Sequence, residues 1–174
     1  MSKVYFTSDL HLGHKNLIVG LRGMTVKEHD SMIISNWNKT VSKRDIVYLL
    51  GDVTMENHKL IYHYLSQLNG TVYVVAGNHD TTQCCRVISQ MGIQILGNIV
   101  YKGFLLSHVP LEEYSVEGFR GNIHGHVHIK ISEDGQVIGQ PIGDKYFNVN
   151  TELHGYTPIA FDKIVEFLKP FEYE

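Results

Sequence analysis

The chain has almost no cysteine, and what it has cannot cross-link it. Cys84 and Cys85 are its only two and they are adjacent, which excludes a disulfide framework and reads as two reduced thiols in a cytoplasmic protein. A basic excess is also missing: 15 Lys and Arg stand against 18 Asp and Glu, a formal charge of −3. That balance argues against sequence-blind grip on a nucleic-acid backbone, and without a basic stripe no strong binding of double-stranded DNA is expected. Short or single-stranded substrates stay open. No apolar run approaches the ~18 residues of a membrane span, and the opening MSKVYF enters a strand with no signal peptide ahead of it. Linkers, internal repeats and low-complexity segments are absent too, so residues 1–174 are expected to form a single domain.

Apolar residues make up 43% of the chain, enough for a substantial core. Val4–Thr7, Ile46–Leu50, Thr71–Ala76 and Phe104–Leu106 are short runs without polar alternation, as expected of central strands covered on both faces. Helical patterns lie between them. Thr25 and Glu28 form a capping-box pair ahead of a helix that turns Ile33 and Trp37 inward. Asn57 is placed to cap the stretch after it, and Thr81 or Thr82 the helix that stops at Gly92. Later in the chain, Asp134-Gly135 between apolar runs predicts a hairpin. Tyr146–Asn150 predicts another strand, and Asp162 a cap for a last helix that Pro170 ends. Alternating strand and helix over the first hundred residues indicates α/β architecture.

Histidine is abundant, with eleven in 174 residues. Several sit in short clusters with Asp, Asn and Gly that follow the apolar runs: Asp9 with His11, Gly51 with Asp52, Gly77-Asn78-His79-Asp80, His108, and Gly125-His126 with His128. Residues i and i+2 of an extended segment point the same way, so Asp9 and His11 can grip one cation together, and His126 and His128, at the same spacing, can each contact a metal. Asp52 has two carboxylate oxygens and can bridge two ions. Asn78 adds a neutral amide oxygen. With no thiolate the set favours Mn²⁺, with Fe²⁺, Zn²⁺ or Ni²⁺ as alternatives, over calcium. Two such ions can generate hydroxide near neutral pH and hold a phosphoryl group for in-line attack. His79 is then the expected general acid, with Asp80 holding its ring.

These five blocks, in this order, resemble the signature of the calcineurin-like metallophosphoesterases, D-x-H, GD, GNH[D/E], H and GHxH. They span residues 9 to 128, about two thirds of the chain, with no departure at any metal-binding position. The resemblance implies a two-sheet β-sandwich flanked by helices. It implies one ion on Asp9, His11, Asp52 and His128 and another on Asp52, Asn78, His108 and His126, with His79 as the catalytic acid. Segments such as DLHLGHKN are most similar to small bacterial and bacteriophage members. The implied activity is phosphoester hydrolysis through a hydroxide held between the ions. A phosphodiester of the nucleotide or RNA-end type is the expected substrate, since no inserted cap closes the site. A phosphomonoesterase, or a silent protein-binding scaffold of the same fold, is the alternative; a scaffold is expected to lose the acid at position 79, which is present here. Homo-oligomerisation is possible.

Bland readings stand beside these. His29, His58, His63, His124 and His154 are expected in ordinary packing or surface roles. His14 touches substrate phosphate, supports a ligand or is a plain loop histidine. Asp80 can equally cap the helix after it. Arg120 and Tyr114 lie between His108 and Gly125, where Arg120 can steady a phosphate and Tyr114 can stack on a base, but exposed loop side chains are the simpler reading.

Overall fold

A computed structural model of the chain describes residues 2–54, 58–131, 137–138 and 143–168. Five strands form the first sheet: β1 (Val4–Thr7), β2 (Ile46–Leu49), β3 (Thr71–Val75), β4 (Gln94–Leu96) and β11 (Ile159–Ala160). Their order is β11-β1-β2-β3-β4, with β1 to β4 parallel and β11 antiparallel at the edge. The second sheet holds β5 (Ile99–Tyr101), β6 (Phe104–Leu106), β7 (Gly121–His124) and β10 (Tyr146–Asn148), in the order β10-β7-β6-β5. Here β10, β7 and β6 are parallel and β5 is antiparallel. A separate hairpin pairs β8 (Lys130–Ile131) with β9 (Val137–Ile138).

Period-2 side-chain alternation divides the first sheet between two cores. Tyr5, Val47, Leu49 and Val74 join a cluster with helices α2 (Val26–Thr40), α3 (His58–Leu65) and α4 (Thr82–Gln90), through Ile33, Trp37, Ile61, Leu65, Val87 and Ile88. Phe6, Leu50 and Val75 point the other way. They meet Phe104, Leu106 and Ile123 of the second sheet, together with Phe161, Ile164 and Leu168 of α6 (Phe161–Leu168). The fold is therefore two mixed sheets flanked by helices, as expected. Short helices α1 (Lys15–Gly20) and α5 (Glu113–Val116) and a 3₁₀ turn (Thr151–His154) complete the described residues.

Local signals act where the sequence places them. Thr25 accepts from the Glu28 N–H while the Glu28 carboxylate accepts from Thr25 N, closing the capping box. Thr81, not Thr82, caps α4, and Gly92 beyond its end has φ +80°. Asp162 differs: α6 begins at Phe161 straight out of β11, so Asp162 lies within its first turn and not ahead of it. Asn57, the Asp134-Gly135 turn and Pro170 lie outside the described residues.

Trp37 is fully buried and its indole Nε1 donates to Asn69 O at 2.9 Å. Trp37→Ala removes the largest side chain of the helix-side core. It should lower unfolding free energy by about 3–5 kcal/mol, read from urea denaturation.

Candidate metal centre

Because β1, β2 and β3 are parallel, their carboxyl ends share one edge, and Asp9, Asp52 and Asn78 follow them there. In the second sheet β6 and β7 also run parallel, and His108 and His126 follow their ends, with His128 two residues on. Backbone hydrogen bonds tie the two edges together. Ser8 N donates to Val149 O (3.1 Å) and Thr151 N to Ser8 O (3.2 Å), while Gly125 N, donating to His108 O (2.9 Å), joins the two loops of the second sheet. The chain bends sharply to deliver these side chains. Asp9, His11, Asp52 and His126 have φ of 57°, 46°, 54° and 69°, a left-handed conformation that non-glycine residues hold at a cost of about 1–3 kcal/mol each. Two neighbouring glycines make room. A Cβ at Gly77 would strike the Asp52 carboxylate, and one at Gly125 would collide with Ser8 and sit 2.6 Å from Asp9 Oδ2.

Two groups result. Asp9, His11 and His128 each offer an atom to one point: His11 Nε2 is 4.0 Å and His128 Nε2 3.8 Å from Asp9 Oδ1. Asp52, His108 and His126 form the other, with His108 Nε2 3.4 Å from Asp52 Oδ1. Asn78 Oδ1 joins it at 2.8 Å from His108 Nε2 and 2.9 Å from His126 Nδ1. His11 Nε2 is 3.5 Å from Asp52 Oδ2, so the Asp52 carboxylate stands between the groups with one oxygen toward each. His79 Nε2 lies 4.0 Å from the same Oδ2, with its ring edge-on to His11 and its side chain 42% exposed.

The donor set fits divalent ions. Asp9 Oδ1, Asp52 Oδ2 and both ring nitrogens of His11 are buried without a hydrogen-bond partner among the described residues. Buried polar atoms are rarely left so, because stranding one costs free energy. The His108 ring donates from Nδ1 to Leu50 O at 2.8 Å, so in the neutral ring Nε2 turns a lone pair toward the oxygens of Asn78 and Asp52. Acceptors facing acceptors need a cation or a proton between them.

Electrostatics agree. Burial pushes His11 down to about 3, against the pull of Asp52, so its ring is neutral and has a lone pair to give. Burial works to raise Asp52, but the hydrogen bond and charge of His108 with the His79 N–H outweigh it and hold the carboxyl at about 2. Burial raises Asp9, against hydrogen bonds from Ser8 and the His126 N–H. Burial disfavours the His108 cation, yet the Asp52 hydrogen bond and nearby carboxylates raise its pKa.

Some expectations need correction. Asp80 does not hold the His79 ring. Its buried carboxylate accepts from Asp52 N (2.9 Å), Val53 N (3.0 Å) and Gly77 N (2.8 Å), stitching the loops after β2 and β3 to each other. It does not cap α4 either, since Thr81 does. Arg120 lies at the start of β7, opposite the edge carrying His126, with its guanidinium 4.6 Å from the Phe104 ring centre. Tyr114 is 78% exposed on α5. His14 lies beside the site, its ring centre 5.6 Å from that of His11 and 6.4 Å from that of His79. Two supporting residues escaped the sequence reading. Glu152 accepts from His128 Nδ1 at 2.8 Å and from Arg22 Nε at 2.8 Å, both across long sequence separations.

The model of the calcineurin-like phosphoesterase family matches residues 2–173. The chain belongs to that family. It is 33% identical to an uncharacterized protein, MJ1445, of Methanocaldococcus jannaschii over 97% of this chain and 93% of that one. Among solved structures, a protein of unknown function, AQ665, from Aquifex aeolicus superposes with a TM-score of 0.74 at 28% identity, covering 95% of this chain and 99% of its own. A nuclease, MPE, of Pseudomonas putida shares the fold at a TM-score of 0.52 and 16% identity, over 78% of this chain and 67% of its own. Family and geometry together make this chain a phosphoesterase-type hydrolase with two His/Asp groups able to hold ions. No described helix is long and apolar enough to cross a membrane.

Burial opposes ionisation of Glu152, but hydrogen bonds and charge from His128 and Arg22 take its carboxyl down from 4.5 to about 2. A depressed carboxyl contributes stability that is complete above the unfolded value and is lost as pH falls through the folded one. The urea midpoint of the metal-free protein should therefore drop between about pH 4.5 and 2, and Glu152→Gln should flatten that drop.

Proposed function

We propose that this chain hydrolyses phosphoesters with two divalent metal ions and prefers phosphodiesters of the nucleotide or RNA-end type, acting as one domain over residues 1–174. Asp9, His11, Asp52 and His128 hold one ion, and Asp52, Asn78, His108 and His126 the other. The observation that carries this reading is the Asp52 carboxylate, with Oδ2 toward His11 and Oδ1 toward His108. Mn²⁺ suits the oxygen and imidazole donors, with Fe²⁺, Zn²⁺ or Ni²⁺ as alternatives. Bound there, the ions would acidify a water and offset the charge that grows on the phosphoryl group.

The protein's own groups do the rest. Neutral His11 and ionised Asp52 are in the protonation states that ion binding requires. The strained turns at Asp9 and Asp52 hold the carboxylates in place before substrate arrives. His79 gives its proton to the departing oxygen: its half-open ring at the rim of the site reaches both solvent and the ion-binding groups. A donor of this kind matters most for a poorly stabilised alkoxide, which is what a nucleotide diester releases.

Bis-p-nitrophenyl phosphate should be turned over with added Mn²⁺ and should cease to be after chelation. A purified protein that turns over neither this diester nor a monoester with any of the four metals would overturn the reading. His79→Ala should slow hydrolysis of a ribose diester about 10²–10⁴-fold while leaving Mn²⁺ uptake intact. Its effect on the nitrophenyl ester should be much smaller, because nitrophenolate needs no proton to leave; an equal loss on both would remove His79 from the acid role. Asp52→Asn should weaken both ions in calorimetry and abolish turnover, since one carboxylate serves the two.

A further inference from the structure

Arg22 and Glu152 form an ion pair at 2.8 Å, with side chains only 1% and 7% exposed. A buried pair of this kind is a weak source of stability, because desolvating two charges consumes much of what their attraction returns. Its contacts indicate another purpose. Arg22 Nη2 donates to Asp9 O at 2.7 Å and Nη1 to Leu10 O at 3.1 Å, both within the left-handed bend that presents Asp9 and His11. Nη1 also donates to His29 Nε2 at 2.6 Å, which leaves His29 Nδ1–H to bind Asp30 Oδ1 at 2.7 Å. Asp30 in turn accepts from Gly13 N, on the far side of the same bend. Glu152 Oε1 receives His128 Nδ1–H at 2.8 Å, and Oε2 receives Ile129 N at 3.2 Å.

We propose that Arg22 and Glu152 are positioning residues for the ion held by Asp9, His11 and His128. Glu152 fixes the His128 proton on Nδ1 and so turns the Nε2 lone pair toward Asp9, 3.8 Å away. Arg22 clamps the two carbonyls of the Asp9 bend, and through Glu152 it ties that bend to the His128 loop of the other sheet. Three of the four groups around that ion are thereby held to one hydrogen-bonded link. The proposal rests on the metal-binding reading of those three residues.

The test is long-range ¹H–¹⁵N spectroscopy of His128 in metal-free protein, together with Mn²⁺ calorimetry. The wild type should carry its proton on Nδ1 and bind two ions. Glu152→Met should lose the tautomer preference and weaken one of the two ions about 10–100-fold while the other holds. Glu152→Gln, which keeps an acceptor for His128, should recover most of both. Arg22→Met with Glu152→Met strands no charge, so it should still fold, at a lower melting temperature because the Asp9 and Leu10 carbonyls lose their donor, yet repeat the loss at one ion. A folded Met variant that keeps the Nδ1 proton and both affinities would overturn the proposal. If the wild type itself took up none of Mn²⁺, Fe²⁺, Zn²⁺ or Ni²⁺, the metal reading would fall instead. The tautomer, which needs no ion, would still decide whether Glu152 orients His128.

Discussion

A carboxylate buried to 1% exposure with one oxygen unpartnered is the constraint on which the site depends. Asp52 stands at the end of a central strand, held in a left-handed bend, and it is fixed in place from several directions. The His79 N–H meets Oδ1, the His108 and His11 rings approach from either side, and its own N–H is taken by Asp80. Moving any of the loops that carry these groups would strand the charge. The parallel order of β1, β2 and β3 is what brings three of the loops to one edge. The inter-sheet core of Phe6, Leu50, Phe104 and Ile123 sets the distance at which the second sheet presents its histidines.

The site is charged in layers. The Asp52 and Asp9 carboxylates and the histidine rings form the interior, and behind them lies a second tier of charged and polar groups. Glu152 and Arg22 stand behind His128 and the Asp9 bend, and Asp80 behind the loops that carry Asp52 and Asn78. This second tier acts on backbone N–H and C=O groups as much as on side chains. Residues forced into the left-handed region persist only where the surroundings over-determine them, and here the surrounding hydrogen bonds do so.

Much of this was legible in the residue order. Continuous apolar runs ending in Asp, Asn or His identified the central strands and the edge where ligands gather, because burial on both faces removes polar alternation. Thr25 with Glu28 marked a helix start since the pairing is local. What stayed hidden was long-range or too short for periodicity. Arg22 and Glu152 are 130 residues apart, and nothing in either neighbourhood says that they meet. His29 reads as a packing histidine and is one, but its partner is the arginine behind the site. Asp80 follows His79 directly, which invited a contact between them, yet the turn sends the carboxylate back into the protein. Helices of four and six residues carry too few turns to show a period.

The bridge from Ser8 to Asn150 joins the two sheets beside the site, and the donors are divided across that seam. Asp9, Asp52 and Asn78 hang from one layer, and His108, His126 and His128 from the other. Ions seated between them would act as rivets through both plates of the sandwich. The two layers could then shear past each other only by first giving up their cargo.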